Sequence, residues 1–424
     1  MADRSASTET LVIDRLGAKS DGIADTPRGP VFVAGALPGE RVAVTREGAR
    51  AHLVAVETAS PERETPFCPY FHACGGCATQ HMSHGLYQGW KRDIVVGALR
   101  QARLEVEVAP LVDAHGEGRR RITLHARYQN REVEVGYMAA RSHHLVPIAF
   151  CPIAEPALKE SAPAVAKALA SRLKGSGKPL DIQVTASAAG LDVDIRGHGP
   201  LKDQDRLSLV ETARELGLAR LSLHGDVIVE LQPPAQIMGR AAVVPPPGSF
   251  LQATRLGEET LAGLVLDACA GAKRVADLFA GCGPFSLRLA ERAEVHAVET
   301  DKGSLFALDR AARGTPGLRR IATEARDLFR RPLLTPELKG FDAVVIDPPR
   351  AGAEAQVRQL ALSEVPVIAS VSCDPGTFAR DAEILIAAGY RLERVVPVDQ
   401  FKHSPHVELV GVLRRDAKKR RGRP

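Results

Sequence analysis

The stretch SVSCDPGTFARD contains the residue best suited to act as a nucleophile. Cys373 follows a predicted buried strand and comes just before a predicted helix. The N-terminal end of a helix and a neighbouring cation such as Arg380 both lower the pKa of a thiol, and the thiolate is the reactive form. A structural role in the core is the alternative for any cysteine, and we assign that role to Cys269 and Cys282.

Glu408 is the candidate general base. It lies in HSPHVELVGVL, at the start of the last predicted strand, with His403 and His406 beside it. A carboxylate at the start of a buried strand costs free energy unless it has a partner or a task. Together with Cys373 it could accept a proton during covalent catalysis.

A glycine-containing loop is the candidate cofactor site. In VADLFAGCGPFSLRLA a strand passes into a helix through Gly281 and Gly283, which would let a ligand approach the backbone. The next predicted strand ends in Glu299, the position from which an acidic residue binds a ribose diol in doubly wound folds. The pattern departs from the G-x-G-x-x-G that suits a pyrophosphate, so S-adenosylmethionine is favoured over a dinucleotide. A glycine cluster that serves packing alone is the remaining alternative.

Asp347 opens the motif DPPR at the predicted end of a further strand. Substrates of open α/β folds bind at this edge of the sheet, and the two prolines would make the loop rigid. In methyltransferases that act on amino groups, an aromatic residue follows the prolines of a related motif, whereas Arg350 stands here. We therefore do not expect the amino group of adenine or cytosine to be the target.

A thiolate, a carboxylate and a methylsulfonium donor together suit one reaction on a nucleic-acid base. C5 of a pyrimidine is a poor nucleophile, but addition of a thiolate at C6 converts the ring into an enolate that can attack a methyl group. A carboxylate then removes the C5 proton, and the thiol is expelled. The residues therefore predict methylation of a pyrimidine at C5.

The elements that must position these residues form three regions. From about residue 250 apolar strands alternate with helices, which predicts a parallel, doubly wound, Rossmann-like α/β domain. Residues 8–58 contain short strands broken by Gly and Pro, which predicts a small β-barrel. Between them, apolar residues at helical spacing predict a helix over 86–104, and residues 119–240 mix strands with an alanine-rich helix.

Composition narrows the class of protein but not its function. The 424 residues are 45% apolar and 25% charged, with no run long enough to cross a bilayer and no signal-peptide-like stretch near the N-terminus. We expect a soluble, cytoplasmic protein. The net charge is +5, but the tail RRDAKKRRGRP contributes +6 and leaves −1 for the rest. We interpret the tail as a solvated end, with a phosphate-contacting arm as the alternative.

With these residues in hand, the chain resembles the family of RNA uracil-C5 methyltransferases, and the resemblance covers essentially residues 8–413. It implies a class I methyltransferase domain at the C-terminus, an N-terminal OB-like β-barrel of the TRAM type and a central α+β domain. The implied divisions are 1–60 for the barrel, 61–240 for the central domain, whose helix 86–104 could pack on the catalytic domain, 241–413 for the methyltransferase domain and 414–424 for the basic tail.

The resemblance also implies roles for individual residues. Cys373 matches the nucleophile and Glu408 the base. The residues implied to bind S-adenosylmethionine are Gln252 in GSFLQAT, Phe279, Pro284, Glu299, Asp327 and Asp347. Three positions depart from the family pattern, because Asp374 and Thr254 stand where Asn is usual and Pro284 stands where a polar residue often reaches the cofactor. The last departure bears on one cofactor contact and not on the activity.

A cysteine cluster begins at CPYFHACGGC. The chain has seven cysteines, an odd number, and they are unevenly spaced. Because a reducing compartment keeps thiols free, this favours metal binding or catalysis over disulfides. By count alone, four cysteines suit zinc as well as an iron–sulfur cluster. In the iron–sulfur branch of the family, C-x5-C-G-G-C and a distant Cys-Pro hold a [4Fe-4S] cluster, which implies the ligands Cys68, Cys74, Cys77 and Cys151 and a structural role for the cluster.

The expected substrate is RNA. The segment EGRRRITLHARYQNR places a basic stretch next to one aromatic residue, a pattern suited to gripping phosphates, with a solvated strand edge as the alternative; its residues are Arg119, Arg120, Arg121, Arg127, Tyr128 and Arg131. The cluster motif favours 23S ribosomal RNA, with transfer RNA as the alternative. Two other classes stay open: an RNA-binding or assembly factor without turnover, and a nicotinamide-dependent reductase. We expect a monomer with no membrane partner.

Overall fold

The computed structural model describes residues 8–129, 132–173 and 179–415. Arg131 and residues 416–424 of the basic tail therefore lie outside the described residues. The chain forms two compact units. Within the described residues, the first unit comprises the chain up to Ile94 together with Met138–His144 and Phe401–His406, and the second comprises Val95–Tyr137, Leu145–Gln400 and the chain from Val407 onward. The four-part division expected from the sequence stays a prediction.

The first unit begins with a sheet of six strands. These are β1 (Thr8–Val12), β2 (Arg15–Leu16), β3 (Asp21–Thr26), β4 (Gly29–Ala34), β5 (Arg41–Glu47) and β6 (Arg50–Thr58), paired in the order β1-β5-β6-β4-β3-β2. Buried and exposed residues alternate along β4 and β5, as a strand with one face toward a core requires. Val31, Val33, Val42 and Val44 are fully buried in that core. The strand-rich character predicted for 8–58 is confirmed.

Helix α1 (His84–Gln101) begins in the first unit. Its Tyr87 and Trp90 pack with Leu37 and Met82, and the indole N–H of Trp90 donates to the carbonyl of Gly17 over 2.9 Å. The helix also contacts the segment Phe401–His406: the ammonium of its residue Lys91 donates to the carbonyls of both end residues, at 3.0 and 2.6 Å. This buried lysine therefore ties the two ends of that segment together.

The second unit contains two large sheets. Its first half comprises β7 (Val112–Asp113), β8 (Arg121–Gln129), β9 (Glu132–Met138), β10 (Leu145–Pro147), α2 (Pro156–Lys159), α3 (Ser161–Arg172), β11 (Leu180–Ser187), β12 (Gly190–Arg196), α4 (Asp203–Glu215), β13 (Arg220–Leu223), β14 (Asp226–Glu230), β15 (Gln236–Met238) and β16 (Ala241–Val243). Seven of these strands form a sheet in the order β10-β9-β8-β11-β12-β13-β14.

The second half comprises α5 (Arg255–Ala268), β17 (Arg274–Leu278), α6 (Ser286–Leu289), β18 (Glu294–Glu299), α7 (Lys302–Arg313), β19 (Ile321–Ala325), β20 (Ala343–Ile346), α8 (Glu354–Leu362), β21 (Val367–Ser372), α9 (Pro375–Ala387), β22 (Arg391–Asp399) and β23 (Glu408–Arg414). The seven strands of this half and β7 form an eight-stranded sheet in the order β19-β18-β17-β20-β21-β23-β22-β7.

The eight-stranded sheet is parallel from β19 to β21, as the sequence predicts, but β23 runs antiparallel to both of its neighbours. Strand β20 is apolar and buried throughout, as expected for a strand covered on both faces. Because β23 is reversed, it begins at the edge of the sheet where β17, β20 and β21 end. That edge carries the candidate site.

None of the helices in the described ranges combines the length and the low charge that crossing a lipid bilayer requires.

Candidate active site

The nucleophile and the base predicted from the sequence meet at this edge. The last pair of the β21–β23 ladder is Ser372 with Leu409. One step beyond it on each strand lie Cys373, just after the end of β21, and Glu408, the first residue of β23. Opposite residues of an antiparallel pair present their side chains on the same face, about 5 Å apart. The strand pairing thus brings together two residues that are distant in the chain.

The thiol of Cys373 has a raised pKa, not the lowered one expected from the sequence. Burial, together with the negative charges of Glu408 and Asp347, raises the pKa of this half-buried thiol to about 11. Arg350 lowers it by a smaller amount. Arg380 does not supply the expected cation, since its guanidinium pairs with Asp381 at 2.7 Å. The prediction was wrong because burial of the thiol, and after it the charges of Glu408 and Asp347, disfavour the thiolate.

Glu408 is buried and has a raised pKa. Its side chain is 3% exposed, and burial raises the pKa of its carboxyl group to about 7. A hydrogen bond from Gln400 and the charge of Arg350 act in the opposite direction. A carboxyl group poised near neutral pH can accept a proton and release it again, which suits a general base.

A line of hydrogen bonds connects Glu408 to the residues implied to bind the cofactor. The amide nitrogen of Gln400 donates to Oε1 of Glu408 at 3.2 Å and to Oε1 of Gln252 at 2.6 Å. The amide nitrogen of Gln252 in turn donates to Oδ2 of Asp347 at 3.3 Å. Desolvation and the charges of Glu408 and Asp277 raise the pKa of the Asp347 carboxyl well above its usual range.

The glycine-containing loop lines a cleft next to these residues. Phe279, with φ of 62°, and the glycines Gly281 and Gly283, with φ of 53° and 85°, adopt left-handed backbone conformations. A side chain at Gly283 would lie 2.3 Å from Leu308, so only glycine fits there. The lining of the cleft includes Gln252, Glu258, Phe279, Gly281, Pro284 and Asp347.

The remaining cofactor residues predicted from the sequence lie around the same loop or further along the sheet. Glu299 ends β18 and accepts a hydrogen bond from the backbone N–H of Gly281 at 3.1 Å. Pro284 lines the cleft, and its carbonyl accepts from Arg288 at 2.7 Å. Asp327, just after β19, accepts from the backbone N–H of Phe329 at 3.0 Å. The ring of Phe329 in turn lies 5.4 Å from the ring of Phe279.

Two departures from the family pattern act as helix caps. Asp374 caps α9 by accepting from the backbone N–H groups of Gly376 and Thr377, both at 3.0 Å. Thr254 caps α5 by accepting from the N–H of Gly257 at 2.9 Å. Asp and Thr both provide the oxygen that an N-cap requires, so Asn is not needed at either position. Cys269 and Cys282 are buried, and burial raises the pKa of both thiols, which confirms that they are embedded in the core.

The four cysteines implied to hold an iron–sulfur cluster are distributed over both units. Cys68, Cys74 and Cys77 are half-buried in the first unit, and Cys151 is buried in the second, with the hydroxyl of Tyr137 3.8 Å from its sulfur. Among the residues that the structure describes, no group of three or more His, Cys, Asp or Glu side chains is arranged to hold a metal ion. Four cysteine thiolates are the donor types that a [4Fe-4S] cluster takes.

One arginine of the predicted RNA-binding stretch lies in the interior. Arg120 is 1% exposed and donates to Glu258 at 2.6 Å and to the carbonyl of Gln252 at 2.8 Å. The prediction that Arg120 grips a phosphate is wrong, because its guanidinium is buried and paired inside the protein. Arg121 is half-buried and donates to Thr185 at 2.8 Å and to the carbonyl of Ser249, and its contact with RNA stays a prediction. Tyr128 is 41% exposed, and Arg131 lies outside the described residues.

Sequence reasoning missed Gln400 and Glu258. Gln400 is fully buried immediately after β22, in VDQF, and a pair of polar residues at the end of an apolar strand was the available signal. Glu258 pairs with Arg120 and also with Arg288, at 3.0 Å, beside the cleft. Nothing local in the sequence indicates this pairing, because the three residues come from distant segments.

Relatives with similar sequences extend along nearly the whole chain. The chain is 48% identical over 414 residues to an uncharacterized RNA methyltransferase of Rhizobium meliloti (strain 1021), covering 96% of this chain and 99% of the relative. It is 36% identical over 453 residues to the 23S rRNA (uracil(1939)-C(5))-methyltransferase RlmD of Halomonas elongata, covering 97% and 91%. The family model described as tRNA (Uracil-5-)-methyltransferase matches residues 236–416.

The fold is also similar to that of a solved structure, Pyrococcus abyssi tRNA (uracil-54, C5)-methyltransferase in complex with S-adenosyl-L-homocysteine. The TM-score is 0.74 at 23% identity, covering 95% of this chain and 99% of that one. The predicted class I methyltransferase fold of the C-terminal region is confirmed. Relatives over nearly its full length and a catalytic domain matched by the family model together show that the chain is an enzyme of the RNA uracil-C5 methyltransferase family.

Proposed function

We propose that this enzyme methylates C5 of a uridine in 23S ribosomal RNA, with S-adenosylmethionine as the methyl donor. The single observation that carries the chemistry is the meeting of Cys373 and Glu408 at the sheet edge, beside a cleft lined by Asp347. The choice of 23S rRNA follows the function named for the Halomonas relative. Transfer RNA is the alternative, favoured by the description of the family model.

The proposed reaction begins at the sulfur of Cys373. The thiol loses its proton to solvent, the sulfur bonds to C6 of the uracil, and the C5–C6 electron pair moves to give an enolate at O4. The donor would carry the methyl group on a sulfonium sulfur. As C5 attacks the methyl carbon, that sulfur would leave with the electron pair of the sulfur–carbon bond. Glu408 then accepts the C5 proton, the C5–C6 double bond forms again, and the thiolate leaves.

The lining of the cleft favours a donor without phosphates. It includes Glu258, which pairs with two arginines, and Asp347, whose carboxyl pKa is raised, so neither is a free negative charge. Neither lysine nor arginine is among the lining residues in the described part of the chain, so a pyrophosphate would find no cationic side chain on the lining. This favours S-adenosylmethionine over a nicotinamide dinucleotide. The ligand that raises the melting temperature of the protein distinguishes the two.

The substrate is tested by mapping 5-methyluridine in ribosomal and transfer RNA from cells with the gene, without it, and with a Cys373→Ala allele. Loss of one 23S rRNA site in the deletion and in the allele supports the proposal. Loss of a tRNA site instead assigns the enzyme to tRNA. If the Cys373→Ala allele restored 5-methyluridine at the site lost in the deletion, the role of Cys373 would be contradicted. If the deletion left 5-methyluridine unchanged at every site, the proposed activity would be contradicted.

We further propose that Gln252, Phe279, Pro284, Glu299, Asp327 and Asp347 bind the donor. The location of Glu299 at the end of β18, next to the glycine-containing loop, supports its assignment to the ribose. Glu299→Gln should weaken S-adenosylmethionine binding by about tenfold, since a hydrogen bond to a charged group contributes about 1.5–3 kcal/mol. Calorimetry measures this, with Glu291→Gln, an exposed position, as the control.

We also propose that the six-stranded sheet of the first unit is a TRAM module and that it contacts RNA. Its exposed arginines include Arg28 and Arg41, with side chains 74% and 58% exposed. The double variant Arg28→Ala/Arg41→Ala should bind RNA more weakly, and the salt dependence of its binding should be lower, because fewer phosphates are neutralised. Arg313→Ala, at an equally exposed position on α7, is the control.

The [4Fe-4S] cluster stays a separate proposal, supported by the spacing of Cys68, Cys74, Cys77 and Cys151. Protein purified without oxygen should be brown and contain roughly four irons per chain. Zinc in a colourless, active preparation would contradict it.

A further inference from the structure

We propose that Gln400 is a positioning residue that orients the general base Glu408 and the cofactor-side residue Gln252 together. The inference rests on the proposed function of Glu408. Gln400 belongs to neither the nucleophile motif nor the glycine-containing loop, and it is fully buried. Its side chain makes three hydrogen bonds, to Ala253, Gln252 and Glu408.

The hydrogen-bond partners of Gln400 determine the orientation of its side-chain amide. Its Oε1 accepts from the backbone N–H of Ala253 at 2.8 Å, and a backbone N–H can only donate. Its Nε2 therefore faces Oε1 of Glu408 at 3.2 Å, where an ionised carboxylate can only accept. Rotating the amide by 180° would place an oxygen against the carboxylate and a nitrogen against an N–H. The observed orientation is the one that satisfies both groups.

The same amide fixes the orientation of Gln252. Nε2 of Gln400 donates to Oε1 of Gln252 at 2.6 Å, so the nitrogen of Gln252 must point the other way, to Oδ2 of Asp347 at 3.3 Å. Both Gln252 and Asp347 line the cleft. Gln400 thus determines that Gln252 presents a donor on the side of Asp347, although Gln400 is not itself among the residues that line the cleft.

Packing leaves Gln400 little freedom to leave this position. An added Cβ at Gly257, in the first turn of α5, would lie 2.6 Å from Oε1 of Gln400 and 2.7 Å from its Cβ. The side chain therefore occupies space that a glycine on the neighbouring helix provides. Such a tightly packed group can hold its partners in one geometry, which is what positioning requires.

Loss of the Gln400 donor should change the titration of Glu408. The groups whose charges act on this cluster are Asp347, Cys373 and Arg350. The hydrogen bond from Gln400 stabilises the ionised carboxylate, so its removal favours the protonated form and raises the pKa of Glu408 above about 7. The base would then be ionised in a smaller fraction of molecules at neutral pH.

The test compares Gln400→Met with Gln356→Met. Methionine has a similar length but no donor. Gln356 is a matched control, because it is also a buried glutamine of the second unit and exchanges two hydrogen bonds with the backbone of Leu333, at 2.8 and 3.1 Å. The measurements are the pKa of Glu408 by carboxyl NMR, the pH dependence of kcat, the affinity for S-adenosylmethionine and the melting temperature.

In Gln400→Met we expect the pKa of Glu408 and the lower limb of the pH profile to rise by about one unit, which is the effect of one hydrogen bond. At pH 7 kcat should fall about fivefold, because the ionised fraction of Glu408 falls from about a half to about a tenth, and kcat should recover above pH 8.5; S-adenosylmethionine should bind several-fold more weakly. Gln356→Met should lower only the melting temperature. A Gln400→Met protein with an unchanged pKa, pH profile and affinity would overturn the inference.

A second variant covers the case in which Gln400→Met does not fold. Gln400→Glu keeps the shape and can accept from Ala253, but when ionised it cannot donate, so the pKa of Glu408 should rise further. The NMR measurement needs no turnover. If the wild-type protein transfers no methyl group, the proposed function fails, while an unchanged pKa of Glu408 in both variants counts against Gln400 alone.

Discussion

Cys373 and Glu408 lie one step beyond the same terminal pair of the β21–β23 ladder, so the backbone hydrogen bonds of that ladder bring the proposed nucleophile and the proposed base to one point of the sheet edge. A sheet edge is a rigid support compared with a long loop. The thiol responds to the charge of the carboxylate, which is consistent with their proximity. This relationship leads to the first two predictions.

Cys373→Ala should abolish methyl transfer, a loss on the order of 10⁴-fold or more, because no other group can form the bond to C6. Its affinity for S-adenosylmethionine should stay near that of the wild type. Methyl incorporation into RNA and calorimetry measure the two quantities. Cys269→Ala is the control, since this buried cysteine should affect stability and not activity. Turnover by Cys373→Ala would exclude covalent catalysis through this sulfur.

Glu408→Gln should trap the enzyme on RNA. The amide cannot accept the C5 proton, so the methylated adduct at Cys373 should accumulate and appear as a protein–RNA band on a denaturing gel. The double variant with Cys373→Ala should not give the band. Normal turnover by Glu408→Gln would remove Glu408 from the role of base.

The thiol of Cys373 should react slowly with alkylating reagents at pH 8, since its pKa of about 11 leaves little thiolate. The rate should rise about tenfold for each pH unit up to that pKa. In Glu408→Gln the loss of a negative neighbour lowers the thiol pKa, and Cys373 should react faster at pH 8. Mass spectrometry of the Cys373 peptide measures the rate, with Glu383→Gln, an exposed position on α9, as the control. Equal rates would contradict the coupling of the two groups.

Asp277 should make the free energy of unfolding depend on pH. Burial raises the pKa of its carboxyl group from 3.8 to about 7, so its contribution to stability is complete below pH 4 and is lost as the pH rises through 7. Asp277→Asn should therefore be more stable than the wild type at pH 8, by about 1–4 kcal/mol. Urea denaturation at pH 5 and pH 8 measures this. Asp309→Asn, on the surface of α7, should leave the pH dependence unchanged.

Arg120→Met should lower the free energy of unfolding by about 3–5 kcal/mol, the range for breaking a buried ion pair. The substitution leaves Glu258 with one cation, Arg288. The salt dependence of RNA binding by the folded variant should be unchanged, because Arg120 is buried. Denaturation and binding at two salt concentrations check both parts. A reduced salt dependence would restore Arg120 to the RNA interface.

The sequence was sufficient to place the candidate site residues at strand ends. Cys373, Asp347 and Glu299 each follow or end an apolar strand, and the carboxyl ends of parallel strands share one edge. The reversal of β23 could not be derived from periodicity, because a buried strand has the same apolar pattern in either direction. Only the structure could therefore show that Glu408 lies at the same edge of the sheet as Cys373.

The direction of the Cys373 pKa and the burial of Arg120 were predicted wrongly for the same reason. Local sequence shows the charges near a residue in the chain, here Arg380 and a helix terminus. The decisive influences come from the tertiary structure: burial and then the charges of Glu408 and Asp347 raise the pKa of Cys373, and Glu258 pairs with Arg120. Gln400 was missed because two of its three hydrogen bonds involve one distant segment, Gln252 and Ala253.

The antiparallel entry of β23 also has a consequence for biosynthesis. Glu408, the proposed base, is the first residue of the final strand of the sheet, and β21 and β22 flank that strand on both sides. A chain translated only as far as residue 407 lacks this strand, so the ladder that brings Glu408 beside Cys373 forms only after the last part of the sheet has been synthesised.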